Sequence, residues 1–161
     1  MIIDWIKNNL DAAMLISVIS IIIALVNTYI VYKKTKHNIL KTLILDYNLK
    51  FFYEYFTNIK KTSEKLKSED INSKIKTDIS QELVQCTQTF RQEFIDLFFS
   101  VNQDLYKELD GKAQKLLDDL SNAIGDDGIN LYIESKYNEC IAAKIVEHES
   151  EMIKLLIDKC R

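Results

Sequence analysis

Between Ala12 and Tyr32 the chain reads AAMLISVISIIIALVNTYIVY, 21 residues without a charged side chain. As a helix rising 1.5 Å per residue, that run reaches about 31 Å, the thickness of a bilayer's hydrocarbon core. A buried helix of a water-soluble domain rarely goes so far without charge, so the run is expected to cross a membrane. A cleaved signal peptide would start basic, carry a shorter apolar run and end on a small-x-small site. Here the start is acidic at Asp4 and the exit is Tyr32-Lys33-Lys34, so the segment is expected to stay. Lys33, Lys34, Lys36 and Lys41 crowd the far side, against Lys7 alone on the near side. The positive-inside rule then makes 1–11 a short extracytoplasmic tail, 12–32 a transmembrane helix and 33–161 a cytosolic part. Trp5 and Tyr32 suit the two interfaces, and Ile2, Ile3, Ile6 and Leu10 either form an interfacial turn or lengthen the helix.

Within the span Ala13, Ser17, Ser20, Ala24 and Asn27 recur at steps of four and three, while the other faces are nearly all Ile, Leu, Val and Met. Small residues let helices approach closely in lipid, and an amide can hydrogen-bond across the contact. An Asn left facing acyl chains would keep unsatisfied groups, which is costly. The stripe predicts a homo-oligomer packed along this seam, and in a ring of four or more the same face would line a pore. The competing reading is that Ser and Ala are common in spans and the register is chance.

Beyond the span, helix breakers are almost absent. Ordinary usage would place about eight prolines in a chain of this length; there are none, and three glycines. This argues against proline-rich β sandwiches and glycine-loop nucleotide folds, and 28% charged with 47% apolar residues excludes a disordered chain. The expected class is all-α, one transmembrane helix followed by a bundle of about four helices. A first stripe runs through Leu40, Leu43, Tyr47, Phe51, Tyr55 and Ile59, on a helix that can grow directly out of the span. KLKSEDINSK (65–74) reads as a turn, with Ser68 or Ser73 as cap of the next helix. The second stripe is Ile75, Ile79, Leu83, Cys86, Phe90, Phe94 and Leu97. Asn102 starts a third helix with Leu105, Leu109, Leu116, Leu120 and Ile124, kinked or split at Gly111. GDDG (125–128) is a turn, and the last helix carries Ile133, Tyr137, Cys140, Ile141, Ile145, Met152, Leu155 and Leu156. The aromatics at 51–56 and 94–99 cover more than one helical face, which calls for either more intrachain core or a subunit interface.

Catalytic and metal signatures are missing from the sequence. His37 sits among juxtamembrane lysines, and His148 opens HESE on what reads as a charged face. His148 with Glu151 has metal-compatible spacing but no second such pair. GDDG lacks the ligand spacing of a calcium loop. There is no GxSxG, HExxH, P-loop or dinucleotide fingerprint. Cys86, Cys140 and Cys160 show no CxxC spacing and are expected to be reduced thiols. No catalytic residue, metal or cofactor is therefore expected.

Charge is uneven. Residues 33–67 hold nine lysines against Asp46, Glu54 and Glu64, while 68–161 are strongly acidic. KFFYEYFTNIKKTSEKLK (50–67) interleaves lysines with rings, a composition suited to phosphates and stacked bases. Arg91, in TFRQEF, is a candidate phosphate fork. Lys50, Tyr53, Lys60, Lys61 and Arg91 are the candidate ligand-binding residues, for a small nucleotide or oligonucleotide rather than a duplex. The alternative is a solvated lysine face serving topology and anionic lipid, with Arg91 paired to a carboxylate such as Glu93 or Asp96.

In size and layout the chain resembles the bacterial membrane effectors of antiviral defence, above all the membrane effector associated with type III CRISPR systems. The resemblance covers the whole chain as architecture and rests on no motif. It implies a non-enzymatic protein of the inner (cytoplasmic) membrane that binds cyclic tetra-adenylate through its helical domain. It also implies a tetramer that disturbs the membrane, with ligand and span coupled by differential affinity for two states. The rival expectation is a membrane-anchored protein–protein interaction module, such as a phage-exclusion or complex-assembly subunit.

Overall fold

The computed structural model describes the backbone of residues 2–42, 44, 49–68 and 71–160, with side chains except those of 2–13, 15, 16 and 160. Leu43, Asp46 and Tyr47, and the side chains of Trp5, Lys7, Ala13 and Cys160, lie outside the described residues. Among the described residues every regular element is helical, so the chain is all-α as expected. It divides into two compact units, Met1–Ile39 and Leu40–Arg161.

Helix α1 (Ile2–Thr42) supplies the first unit. Its backbone is already helical at Ile2, so the residues before Ala12 lengthen the helix. From Ser17 to Lys36 every side chain is exposed, and Val18, Ile22, Leu25 and Ile30 are each more than half bare. Apolar surface left in water costs on the order of 25 cal/mol per Å², so such a helix calls for an apolar surrounding. Ser17–Thr42, of mean hydropathy 1.4, is long and apolar enough to cross a membrane.

The second unit is built from four rods. Helix α2 (Leu49–Glu64) ends in a tight turn at Lys65–Lys67. Helix α3 (Ser73–Phe90) runs on through a π turn at Arg91–Ile95 and a 3₁₀ turn at Asp96–Phe98. Helix α4 is Gln103–Gly125. The short α5 (Glu134–Tyr137) passes through a π turn, Asn138–Ala142, into α6 (Ala143–Cys160). Side-chain pairs between the rods run in opposite senses along each neighbour. Phe52 meets Phe94 and Tyr55 meets Phe90 between α2 and α3. Lys112 meets Glu151 and Glu108 meets Lys159 between α4 and α6. Lys60 meets Glu149 and Ser63 meets Tyr137, closing α2 on the last rod. The result is an up-down-up-down four-helix bundle. The start of α2, the α3–α4 turn and the end of α6 share one end of it; the α2–α3 and α4–α5 loops share the other.

Helix starts follow side-chain chemistry. Asn102 Oδ1 accepts from Leu105 N at 3.1 Å, as its position suggested. At α3 the cap is Asn72, not Ser68 or Ser73: with extended backbone (φ −96°, ψ 171°), its Oδ1 accepts from Ile75 N at 3.0 Å. Ser73 is already the first helical residue, and an amide oxygen satisfies a free N-terminal N–H as well as a hydroxyl does. Gly111 neither kinks nor splits α4, which runs through it unbroken. Buried Leu109 and Ala113 on either side hold that turn, against a glycine penalty of about 1 kcal/mol. GDDG is a turn: Asp126 Oδ1 accepts from Gly128 N at 2.8 Å.

The core is aromatic. Phe52, Phe56, Phe94 and Phe98 are fully buried; Tyr55 stacks on Phe90 with centroids 4.1 Å apart, and Phe90 on Phe94 at 5.1 Å. Three stripes differ from expectation: Ile133 is the extended residue before α5 and its side chain is exposed, as is that of Ile75 at the start of the α3 stripe. On α2 the buried line runs through Phe52, Tyr55, Phe56 and Ile59, and Phe51 is only half-buried. On α3, Ile95 and Phe98 are buried where Leu97 was expected, because the π turn takes up an extra residue and rotates the helix beyond it. Most of the aromatic surplus thus serves the intrachain core, leaving Tyr53 and Phe99 more than half exposed.

Candidate functional site

The five candidate ligand residues occupy three settings. Lys50, Tyr53 and Lys61 lie along the exposed face of α2, opposite the core line. Lys50 reaches Glu54 at 3.4 Å across one helical turn, whereas Lys61 makes no ion pair among the described residues. Lys60 leans the other way, where its Nζ donates to Glu149 Oε2 on α6 at 2.7 Å. Arg91, in the π turn ending α3, closes its fork on Asp110 of α4: Nη2 donates to Oδ2 at 2.9 Å and Nε sits against Oδ1. The acceptor comes from the neighbouring helix and is neither Glu93 nor Asp96. The fold brings Lys50, Tyr53 and Lys61 to one face and takes Lys60 and Arg91 into interhelical ion pairs.

Beside that face, α2 and α3 enclose a groove of about 250 Å³. Its floor is Phe51, Tyr55 and Phe90, its walls are Asn58, Thr62, Gln85 and Thr89, and Glu54, Glu82 and Glu93 stand on its rim. Lys65 pairs with Glu82 at one edge. With three carboxylates around it, the groove suits amide or cationic groups better than a phosphate. Sequence reasoning missed these residues as a group. A signal existed, since 82, 85, 89 and 93 step by three and four along the shoulder of the apolar stripe.

Cys86 also borders the groove as a free, half-buried thiol. Burial pushes its pKa up, and the Glu82 carboxylate pushes it further, so the fold favours the thiol over the thiolate. Burial likewise drives the Tyr55 hydroxyl to about 12, offset in part by its hydrogen bond to Thr87.

His148 is the residue that sequence reasoning misplaced. It is 2% exposed, not on a charged face, and its Nε2 lies 2.9 Å from Asp119 Oδ2 on α4. Among the described residues nothing hydrogen-bonds its Nδ1. Glu151, its partner in the HESE spacing, turns instead to Lys112, and that hydrogen bond lowers its pKa. Among the described residues no three His, Cys, Asp or Glu side chains gather into a metal-sized group.

On α1, Ser17, Ser20, Ala24 and Asn27 do fall on one stripe, and all four are exposed. Thr28 satisfies its hydroxyl within the helix, donating to the Ala24 carbonyl at 2.8 Å. Comparison with protein-family models, curated proteins and solved structures finds no match to this chain.

Proposed function

We propose that this chain is a single-pass protein of the cytoplasmic membrane that holds a cytosolic four-helix bundle at the bilayer and works by binding rather than by catalysis. The observation that carries this reading is the bare apolar helix α1, followed by exposed Lys33, Lys34, Lys36 and Lys41. The lysines set the orientation, with the N-terminus outside. Assembly with other protein chains is the role that fits best. The exposed Ser17–Asn27 stripe favours self-association in lipid, and the polar groove between α2 and α3 offers amide and carboxylate groups to a protein partner. The test is carbonate washing of membranes carrying the full-length chain, with protease added to intact cells. The chain is expected to remain in the pellet with its C-terminal part protected; release by carbonate or trimming from outside would overturn the reading.

A second reading, the nucleotide-gated antiviral effector, is favoured by one observation. Lys50, Tyr53 and Lys61 share an exposed face of α2, and Lys61 has no ion-pair partner among the described residues. A ring of four chains would multiply that face around one axis. Titration calorimetry of the full-length chain in detergent with cyclic tetra-adenylate is the test. Heat that is lost in Lys61→Glu supports this reading, and no heat with any cyclic oligoadenylate removes it.

A further inference from the structure

The outer face of α6 carries an uncharged stripe that the bundle core does not use. Ala143, Val146, Ser150, Ile153 and Ile157 follow one another at steps of three and four. Val146 is 54% exposed and Ile157 47% exposed; Ala143 and Ser150 are exposed, and Ile153 is half-buried. Single apolar residues on a surface are ordinary, but these repeat with a heptad period, the spacing of a helix–helix seam. Helix α4, by contrast, leaves no large apolar side chain exposed. The buried line of α6, Ile145, His148, Met152 and Leu156, lies on a different side of the helix, so most of the stripe is surplus to packing within the chain.

Charge marks the two flanks of this stripe. On the side toward α2, Glu149 is held by Lys60 at 2.7 Å. On the far side stand Glu147 and Lys154, two helical turns apart along one edge. Glu147 meets Lys144 through Oε2 at 3.2 Å, an exposed pair of little weight, and Lys154 makes no ion pair among the described residues. A second copy of α6 laid antiparallel on the stripe puts Val146 against Ile157 and Ser150 against Ile153, twice over by the two-fold symmetry. In that register each edge meets the same edge of the other copy, so the carboxylate of Glu147 faces the ammonium of Lys154 on both sides of the axis. A parallel copy would instead set Lys154 against Glu149, which Lys60 already holds, and Glu147 against Ala142.

We propose that the Ala143–Ile157 stripe is a two-fold contact between bundles: two copies of α6 pack antiparallel, closed at each end by a Glu147–Lys154 pair. The inference rests on the assembly reading above and names its partner, a second copy of this chain. That occupant is argued from charge complementarity, since one edge carries opposite charges at the spacing that an antiparallel copy inverts. About four turns of one helix cover far less than the roughly 800 Å² per partner of a standard interface, so the contact is weak between free chains. Chains confined to one membrane meet at a raised effective concentration, and the contact then forms or breaks with the number of chains gathered there.

The experiment uses the full-length chain carrying Cys86→Ala, Cys140→Ala and Cys160→Ser, in carbonate-washed membranes. Val146→Cys and Ile157→Cys are expressed separately and together, on copies told apart by tags of different size, and oxidised with copper phenanthroline. The mixed disulfide between 146 and 157 is expected to exceed either self-product several-fold. Self-products that match or exceed the mixed one would mean a parallel or unordered pairing and overturn the inference. Lys154→Glu should cut the mixed product several-fold, and Glu147→Lys added to the same chain should restore it. Rescue by the double exchange also shows that the single variant had not simply misfolded, whereas no rescue means that these charges do not face each other, and the register falls. No disulfide at all, from chains that stay in the carbonate pellet, removes the contact and leaves the single-pass reading standing. Chains lost to the supernatant overturn that reading and the contact with it.

Discussion

His148 and Asp119 form a polar contact in the packed seam between α6 and α4, with His148 Nε2 2.9 Å from Asp119 Oδ2. The His148 ring is shut away from water, while Asp119 keeps about a third of its side chain exposed. That asymmetry sets the cost of removing each partner. Asp119→Ala strands a buried imidazole with neither nitrogen bonded and should cost about 1–3 kcal/mol. His148→Leu fills a similar volume with apolar atoms and leaves Asp119 free to turn to solvent, so it should cost well under half as much. Urea unfolding of the full-length protein in detergent measures both, and equal losses would mean that the contact contributes no more than packing.

Phe94 meets Phe52, Phe90 and Phe98 at the centre of the core. Phe94→Ala should destabilise the bundle by about 3–5 kcal/mol. Tyr53→Ala, on the exposed face of α2, should change stability by less than about 0.5 kcal/mol. Thermal melts followed by circular dichroism separate the two.

The cap assignments make a sharper comparison. Asn72→Ala and Asn102→Ala should each lose about 1 kcal/mol, because each leaves a helix N-terminal N–H without its acceptor. Ser68→Ala should be neutral, and a larger loss there than at Asn72 would move the start of α3.

Alkylation of Cys86 should be slow near neutral pH and accelerate only at higher pH than in the unfolded chain, since burial and Glu82 both raise its pKa. The linked stability term has a definite sign. A raised folded pKa contributes stability that is fully present below the unfolded thiol value of about 8.5 and is lost as pH rises through the folded value. Peptide-resolved mass spectrometry after iodoacetamide pulses reads the rate site by site, and a midpoint at or below the unfolded one contradicts the burial.

If the Ser17–Asn27 stripe is a packing seam, cysteines placed at 17, 20 and 24 should crosslink in membranes more strongly than cysteines at 18, 22 and 25. Those two sets face different sides of α1. Equal yields on all faces would leave α1 as an anchor alone.

Much of this architecture was legible in the order of residues. A 21-residue run without charge, a nearly glycine-free chain with no proline, Asn102 before an apolar repeat and the GDDG turn are all local signals. Local backbone and solvation energies are enough to read them. The apolar stripes of α4 and α6 were legible for the same reason. The α3 stripe was not, because the π turn at Arg91–Ile95 changes the period midway, and a fixed 3.6-residue pattern cannot register an inserted residue.

What only the tertiary structure decided was the partner of each charge. Lysine, arginine and histidine are long enough to serve solvent, lipid, ligand or a neighbouring helix, and nothing in the order of residues ranks those options. Packing the rods antiparallel put Asp110 within reach of Arg91, Glu149 within reach of Lys60 and Asp119 against His148. These contacts join residues 19, 89 and 29 positions apart. An ion pair depends on a few ångströms of distance between helices, a quantity set by how the core packs and not by sequence spacing. The chain alone therefore determined that it is helical and where it is greasy; the assembled bundle determined which of its charges remain free to meet anything else.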